Sequence, residues 1–207
     1  MLDTSNVTNM SRMFDGCNNL TTLNLSTINT SSVTDMHQMF YGCDSIEDIN
    51  FGSNFDTSHV TDMSEMFILA GTATTNLDLS VFDTSSVTNM YRMFAYNNFT
   101  TIDVSSFDTR NVENMSLMFA NWGNTSVNLI NIKFGDKFIT SNVTNMTSMF
   151  SGNNKLTTLD LSTFDTTNCI SIGTNTGYNR SALSTMFSDC RNLTELILND
   201  KFGQTYM

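Results

Sequence analysis

The sequence predicts an α/β solenoid of about seven repeats, each a β-strand followed by a short helix. The coil is expected to be right-handed, with a parallel sheet on one face and the helices on the other. Three observations predict it. First, the motif V-T-x-M-x-x-M-F recurs, as Val7-Met10-Met13-Phe14, Val33-Met36-Met39-Phe40 and onward to Val143-Met146-Met149-Phe150, with a degraded seventh copy at Leu183-Met186-Phe187. Second, its closing phenylalanines are separated by 26, 27, 27, 25, 31 and 37 residues. At such a period each unit buries its apolar edge against its neighbours rather than in a common globular core. Third, an L-x-x-L-x-L spacing lies between the copies, and its last three residues alternate apolar and polar as a half-buried strand requires.

The strand frames run Leu20/Leu23/Leu25, Ile46/Ile49/Phe51, Thr74/Leu77/Leu79, Phe99/Ile102/Val104, Val127/Ile130/Ile132, Leu156/Leu159/Leu161 and Leu193/Leu196/Leu198. Seven strands, one per rung, are expected to pair in parallel. Each is followed by an apolar slot: Ile28, Phe55, Phe82, Phe107, Phe138, Phe164 and Phe202. An Asp-Thr-Ser-like segment comes next in most units, with residue types that accept hydrogen bonds from the free amides of a helix's first turn. The eight residues of the motif place Val, Met, Met and Phe on one face at 3.6 residues per turn. They predict a helix of two to three turns, too short to be stable outside the stack. Of the 15 methionines, 13 fall in the two motif columns, so the methionines read as core filler rather than as a binding groove or a soft-metal site.

Composition narrows the partners. The formal charge is -11, and no basic stripe is available to release counterions from nucleic-acid phosphates or to dock on anionic lipid. Asn, Ser and Thr make up about two-fifths of the residues. Proline is absent, which suits a fold in which every segment is either a ladder strand or a short helix, since proline would remove a hydrogen bond from either. No apolar run approaches the length of a membrane span. The whole chain, residues 1–207, reads as a single solenoid domain. It begins inside a repeat, and neither terminus looks like a polar cap, so it is expected to be a piece of a longer array, with any export signal removed.

The repeat F-D-T-S-x-V-T-x-M-x-x-M-F-x-G-C-x-x-L-x-x-L-D-L-S resembles the BspA-like leucine-rich repeats of bacterial surface proteins. Phe82-Asp83-Thr84-Ser85-Ser86-Val87-Thr88-Asn89-Met90 and Leu156-Thr157-Thr158-Leu159-Asp160-Leu161-Ser162 match it almost letter for letter. The resemblance implies a secreted or surface-anchored bacterial protein associated with adhesion to host proteins or to other cells. It names no ligand.

The candidate sites lie among the residues outside the core columns. Between the inward strand positions lie Asn24, Asn50, Asp78, Asp103, Asn131, Asp160 and Ile197, and two residues upstream of them lie Thr22, Asp48, Asn76, Thr101, Leu129, Thr158 and Glu195. This polar, mildly acidic face is the candidate ligand-binding surface, together with Trp122 in an irregular loop, since repeat scaffolds place recognition on loops. Apparent insertions interrupt the period at Asn121–Ser126, Lys133–Ser141 and Gly173–Ser181. Cys17 and Cys43 occupy one column on consecutive rungs, where a disulfide competes with two buried thiols. The aspartates at 3, 56, 83, 108 and 165 read as caps, with calcium bridging as the alternative. There is no Ser/His/Asp set, no zinc spacing and no phosphate-binding glycine loop, so neither catalysis, cofactor nor metal is expected. The functional expectation is a non-catalytic cell-surface module for adhesion or protein–protein interaction, its partner a host or neighbouring-cell surface protein. A structural spacer and a binder of glycans or other repetitive surfaces are the alternatives, and end-to-end self-association is a further possibility of the exposed termini.

Overall fold

The computed structural model describes residues 3–72, 75, 77–121, 129–169, 183 and 185–203. Successive motif copies lie side by side, one rung each. The residue before the first motif methionine forms a parallel bridge to its counterpart in the next rung, from Asn9 to Asp35, Asp62, Asn89, Asn114 and Asn145. The core runs along the stack. Val33, Met36, Met39, Phe40 and their equivalents through Phe150 are fully buried, as the repeat predicts.

The predicted helices are not there. Among the described residues no α-helix occurs, and the only regular elements are short strands. The motif segment is instead a chain of tight turns. The Met13 N–H donates to the Met10 carbonyl, Asp15 to Arg12 and Cys17 to Phe14, each three residues back. The residue before the second methionine is left-handed in every copy, with φ of 58, 56, 58, 52, 60, 58 and 58° at Arg12, Gln38, Glu65, Arg92, Leu117, Ser148 and Thr185. That conformation ends a helix, at a cost of roughly 1–2 kcal/mol for a residue with a side chain. What offsets it is bonding between rungs. The N–H groups of Met10, Arg12, Phe14 and Gly16 donate to the carbonyls of Asp35, His37, Met39 and Tyr41, at 2.9, 2.9, 2.9 and 2.8 Å. A helix would have used those donors internally. Here every second amide ties one rung to the next.

The strands are β1 (Thr22–Asn24), β2 (Asp48–Asn50), β3 (Thr101–Val104), β4 (Asn131–Phe134), β5 (Thr158–Leu161) and β6 (Glu195–Leu198). They form three two-stranded parallel sheets, β1–β2, β3–β4 and β5–β6, rather than one sheet of seven strands. The third expected strand does not form at Leu77 and Leu79, although Leu79 is buried. The fifth was expected two residues early. Ile102 pairs with Ile132 and Val104 with Phe134, so the inward residues are Leu129, Ile132 and Phe134. Ile130 is 55% exposed. With this register Phe134-Gly135-Asp136-Lys137-Phe138 repeats Phe51-Gly52-Ser53-Asn54-Phe55, and Lys133–Ser141 is ordinary repeat rather than insertion. The extra residues of this unit lie between Phe119 and Leu129.

Two side-chain columns bind the rungs further. The motif phenylalanines from Phe14 to Phe187 stack face to face, with neighbouring centroids 5.2–6.0 Å apart and ring planes within 14°. Such pairs add about 0.5–1.5 kcal/mol each beyond their burial. The threonines of the Asp-Thr-Ser segments make the second column: Thr4, Thr30, Thr57, Thr84, Thr109, Thr140 and Thr166 are all buried. Each hydroxyl donates to a backbone carbonyl of the next rung, as Thr84 does to Asp108 at 3.0 Å, while the Asp108 N–H donates back to the same oxygen at 2.8 Å. Replacing Thr84 by the near-isosteric Val leaves both backbone groups unpaired in a buried site. Urea unfolding of Thr84→Val is expected to show a loss of about 1–3 kcal/mol, whereas Thr88→Val, on an exposed hydroxyl donating to Thr61, should stay within about 0.5 kcal/mol.

Candidate functional site

The outward strand positions present a largely polar face, because side chains alternate in direction along each strand. Thr22, Asn24, Asp48, Asn50, Thr101, Asp103, Asn131, Thr158, Asp160 and Glu195 are all exposed. Leu129, expected on this face, is buried, since the register of β4 turns it inward. Lys133 takes the place opposite Asp103, and its Nζ lies 2.9 Å from Asp103 Oδ2. The expected frame puts this lysine in an insertion, whereas the register of β4 places it on the face as a cation.

The candidate residues fall into three neighbourhoods. Asn24 and Asn50 are register partners across β1–β2. Asp78 and Asp103 line a hollow of about 310 Å³ together with Ser80 and Ser105. Asn131 and Asp160 line a groove of about 450 Å³ at the step from β4 to β5, where no ladder bonds join the strands. Lys133, Asp136, Thr158 and Glu195 complete its polar wall, and Phe134 and Ile197 contribute apolar surface. With three carboxylates and one lysine that already faces Asp103, the groove is acidic. Trp122 lies outside the described residues, as do most of the segment around it and the whole of Gly173–Ser181.

Several of these side chains also hold the backbone. Asn24, Asp78, Asp103 and Asp160 each accept the N–H two residues on, from Ser26, Ser80, Ser105 and Ser162 at 3.0, 2.9, 2.9 and 2.9 Å. These Asx turns close the strands. The aspartate column behaves likewise: Asp3, Asp56, Asp83 and Asp165 accept from Ser5, Ser58, Ser85 and Thr167. Each carboxylate thus caps a turn, where a helix cap was expected. The described residues contain no group of three or more His, Cys, Asp or Glu arranged to hold a metal ion.

At Asp3, Asp56, Asp78, Asp103, Asp160 and Asp165 those bonds lower the acid's pKa. The Ser58 N–H, ahead of its hydroxyl, holds Asp56 below the ordinary carboxylate value. Asp78 and Asp160 are held down first by the Ser80 and Ser162 hydroxyls, Asp108 by the Arg110 guanidinium and Asp165 by the Thr167 hydroxyl. A depressed folded pKa gives stability that is present above the unfolded value near 3.9 and lost as pH falls through the folded one. Asp44, raised by burial, opposes the trend alone. The melting temperature should therefore hold between pH 7 and 5 and fall below about pH 4. A rise on acidification would mean that relief of the charge of -11 dominates instead.

The cysteines are free thiols. Cys43 donates from Sγ to the Phe14 carbonyl at 3.3 Å, and Cys169 to that of Val143 at 3.3 Å. Burial pushes each thiol pKa up to about 12. Cys43 thus spans to the rung of Cys17 through a backbone carbonyl.

Comparison with known proteins places this geometry. A family profile described as Mycoplasma protein of unknown function, DUF285, matches residues 1–72, 46–134 and 123–204. No curated protein matches the chain. A crystal structure of a leucine-rich repeat protein from Bacteroides ovatus superposes with a TM-score of 0.51 at 16% identity, covering 94% of this chain and 42% of that one. The chain thus spans less than half the length of that neighbour, and at this identity the likeness speaks for the fold alone.

Proposed function

The chain belongs to the DUF285 family of mycoplasma proteins, and from that premise we propose that it is a non-catalytic interaction module which binds a polypeptide partner on its strand face. The observation that carries the reading is the acidic groove at the β4–β5 step, whose lining includes Asp136, Asp160 and Glu195 together with Phe134 and Ile197. It offers acceptors for lysine, arginine or backbone amide donors and no nucleophile–base pair. The leucine-rich-repeat-like fold supports this, because stacked rungs present long open surfaces suited to extended partners. The BspA-like form of the repeat supports the finer reading: adhesion at the bacterial surface to a host or neighbouring-cell protein.

A spacer is the competing reading, favoured by the Asx turns that commit many outward side chains to the backbone. The triple variant Asp136→Asn, Asp160→Asn, Glu195→Gln separates the two. It removes the charge of the groove while leaving an amide oxygen to accept the turn bond at Asp160. Binding of the immobilised chain to an array of host extracellular proteins should weaken at least tenfold with an unchanged melting temperature. Equal binding by the variant, or none by the parent chain, would leave the spacer.

A further inference from the structure

One turn column of the stack carries large side chains where most of its places suit glycine. Gly16, Gly42 and Gly152 occupy it with φ of 73, 67 and 82°, and their N–H groups donate to Tyr41, Ile68 and Ser188 on the following rungs. Leu69 and Tyr96 hold the same place on consecutive rungs, donating to Ala95 and Ala120 at 3.3 and 2.8 Å. Their φ of 54 and 57° is left-handed too. Aspartate, as at Asp189 with φ of 60°, tolerates that conformation, whereas leucine and tyrosine are disfavoured in it. Burial does not explain Leu69, which is 41% exposed. Backbone strain kept for an exposed apolar side chain points to a use outside the fold.

The same two rungs carry a cation whose fork is open. Arg110, Lys133, Arg191 and Lys201 each lie 2.6–3.1 Å from an aspartate oxygen. Arg92 is held differently. Its Nη1 is 3.9 Å from Glu65 Oε1, too far for a hydrogen bond, and the other oxygen of Glu65 accepts from the Gln38 amide. Arg92 Nε is enclosed and meets no acceptor among the described residues. The guanidinium rests over the Tyr91 ring, 5.0 Å from its centroid, with 33% of the side chain exposed. Burial raises the pKa of the Tyr91 hydroxyl, Arg92 lowers it, and Glu65 and Tyr96 raise it, so these four side chains share one neighbourhood. Leu69 adjoins it through the bond from its N–H to Ala95, the residue before Tyr96.

We propose that Leu69, Tyr91, Arg92 and Tyr96 form a second docking surface, on the turns rather than the strands, for a polypeptide that presents a carboxylate side chain beside an apolar one. The carboxylate follows from the open fork of Arg92, whose planar donors match its two oxygens in charge and in geometry. The Tyr91 ring keeps that fork in place before the partner arrives. A polypeptide follows from the company of Arg92, since tyrosine and arginine are the side chains that anchor protein interfaces. Leu69 adds an apolar contact that a free anion would not use. The charge of -11 sets the chain against an anionic membrane and against a strongly acidic partner, so the carboxylate comes singly in an otherwise neutral segment. The groove at the β4–β5 step selects donors, and this surface selects an acceptor.

The probe is an array of short synthetic peptides, each with a single Glu or Asp beside Leu or Phe in a neutral segment, with matched Gln or Asn peptides as controls. The parent chain should bind members of the acidic set at least tenfold more tightly than their amide partners. Arg92→Lys keeps the charge but not the fork, and should remove that preference. Leu69→Gly and Tyr96→Gly should each weaken binding by roughly threefold or more while the melting temperature holds or rises, because glycine suits this backbone. The groove variant Asp136→Asn, Asp160→Asn, Glu195→Gln should bind the acidic peptides as the parent does, which separates this surface from the strand face. Equal binding of acidic and amide peptides, or of neither, overturns the proposal and leaves the groove reading standing. Undiminished preference in Arg92→Lys overturns it too, as does loss of binding in the groove variant. A melting temperature lowered by both glycine variants would show that Leu69 and Tyr96 serve packing, and would also count against it.

Discussion

Phe94→Ala is expected to cost about 3–5 kcal/mol, the range for emptying a buried phenylalanine site. Phe94 is fully buried. Its ring lies between Phe67 at 5.5 Å and Phe119 at 5.8 Å, both nearly parallel to it, with Phe107 tilted at 6.5 Å. Removing the ring breaks two stacked contacts and leaves a cavity that the turn backbone, bonded to both neighbouring rungs, cannot close. In a solenoid, stability is close to a sum of rung and interface contributions, so the loss falls where the two halves of the array couple. Urea unfolding followed by tyrosine fluorescence should then show a second, separate transition. Phe14→Ala is the control: the same chemistry with one stacked neighbour and partial exposure, expected to cost less than half as much. Equal costs at the two sites would show that the aromatic column does not couple the rungs.

The second large effect concerns the backbone. A Cβ on Gly52 would lie 2.4 Å from Ser26 Cα and 2.8 Å from Ser26 Cβ, in the rung before, at a φ of +73°. Gly16 has the same φ of +73° and nothing within 4 Å. Alanine at Gly16 therefore meets only the left-handed penalty, about 1 kcal/mol. At Gly52 the rungs must also separate, and overpacking adds about 1–3 kcal/mol, for a total of roughly 2–4. The difference between Gly52→Ala and Gly16→Ala in denaturant melts measures how tightly two rungs press together. Costs within about 0.5 kcal/mol of one another would mean that the spacing yields easily.

How much of this was legible in the sequence depends on which neighbour a residue needs. The methionine and phenylalanine columns were legible because burial along a period leaves a compositional trace, and Met36 to Phe150 sit where that trace puts them. The turns were not. Val7, Met10, Met13 and Phe14 fit one face of a helix, yet steps of three equally suit successive i to i+3 turns. Glycine, the usual mark of a left-handed residue, is absent from that column: Arg12, Gln38, Glu65, Arg92, Leu117, Ser148 and Thr185 take the conformation instead. Thr84 and its column read as helix caps because their partners are carbonyls one rung away, which no local pattern displays.

The fifth strand failed for a different reason. Leu129-Ile130-Asn131-Ile132 supports two alternating frames, and Phe134-Gly135-x-x-Phe138, the signal that chooses between them, lies downstream. With the frame shifted, Lys133 and Asp136 were missed and Leu129 was placed outside. The outward Asn24, Asn50, Asp78, Asp103, Asn131 and Asp160 were legible as polar strand positions. The groove that joins Asn131 to Asp160 was not, because it depends on two strands that fail to pair.

The central claim is that the motif segment is a turn whose left-handed residue frees alternate amides to bond the next rung. Its most direct test is the stability difference between Gln38→Gly and Gln38→Ala. Both variants lose the same side-chain contact with Glu65, so the comparison isolates the backbone at a φ of 56°. The turn predicts that glycine is the more stable by about 1 kcal/mol. A helix would give the opposite sign at similar size, since glycine in a helix interior is about 1 kcal/mol worse than alanine, and that outcome would contradict the account.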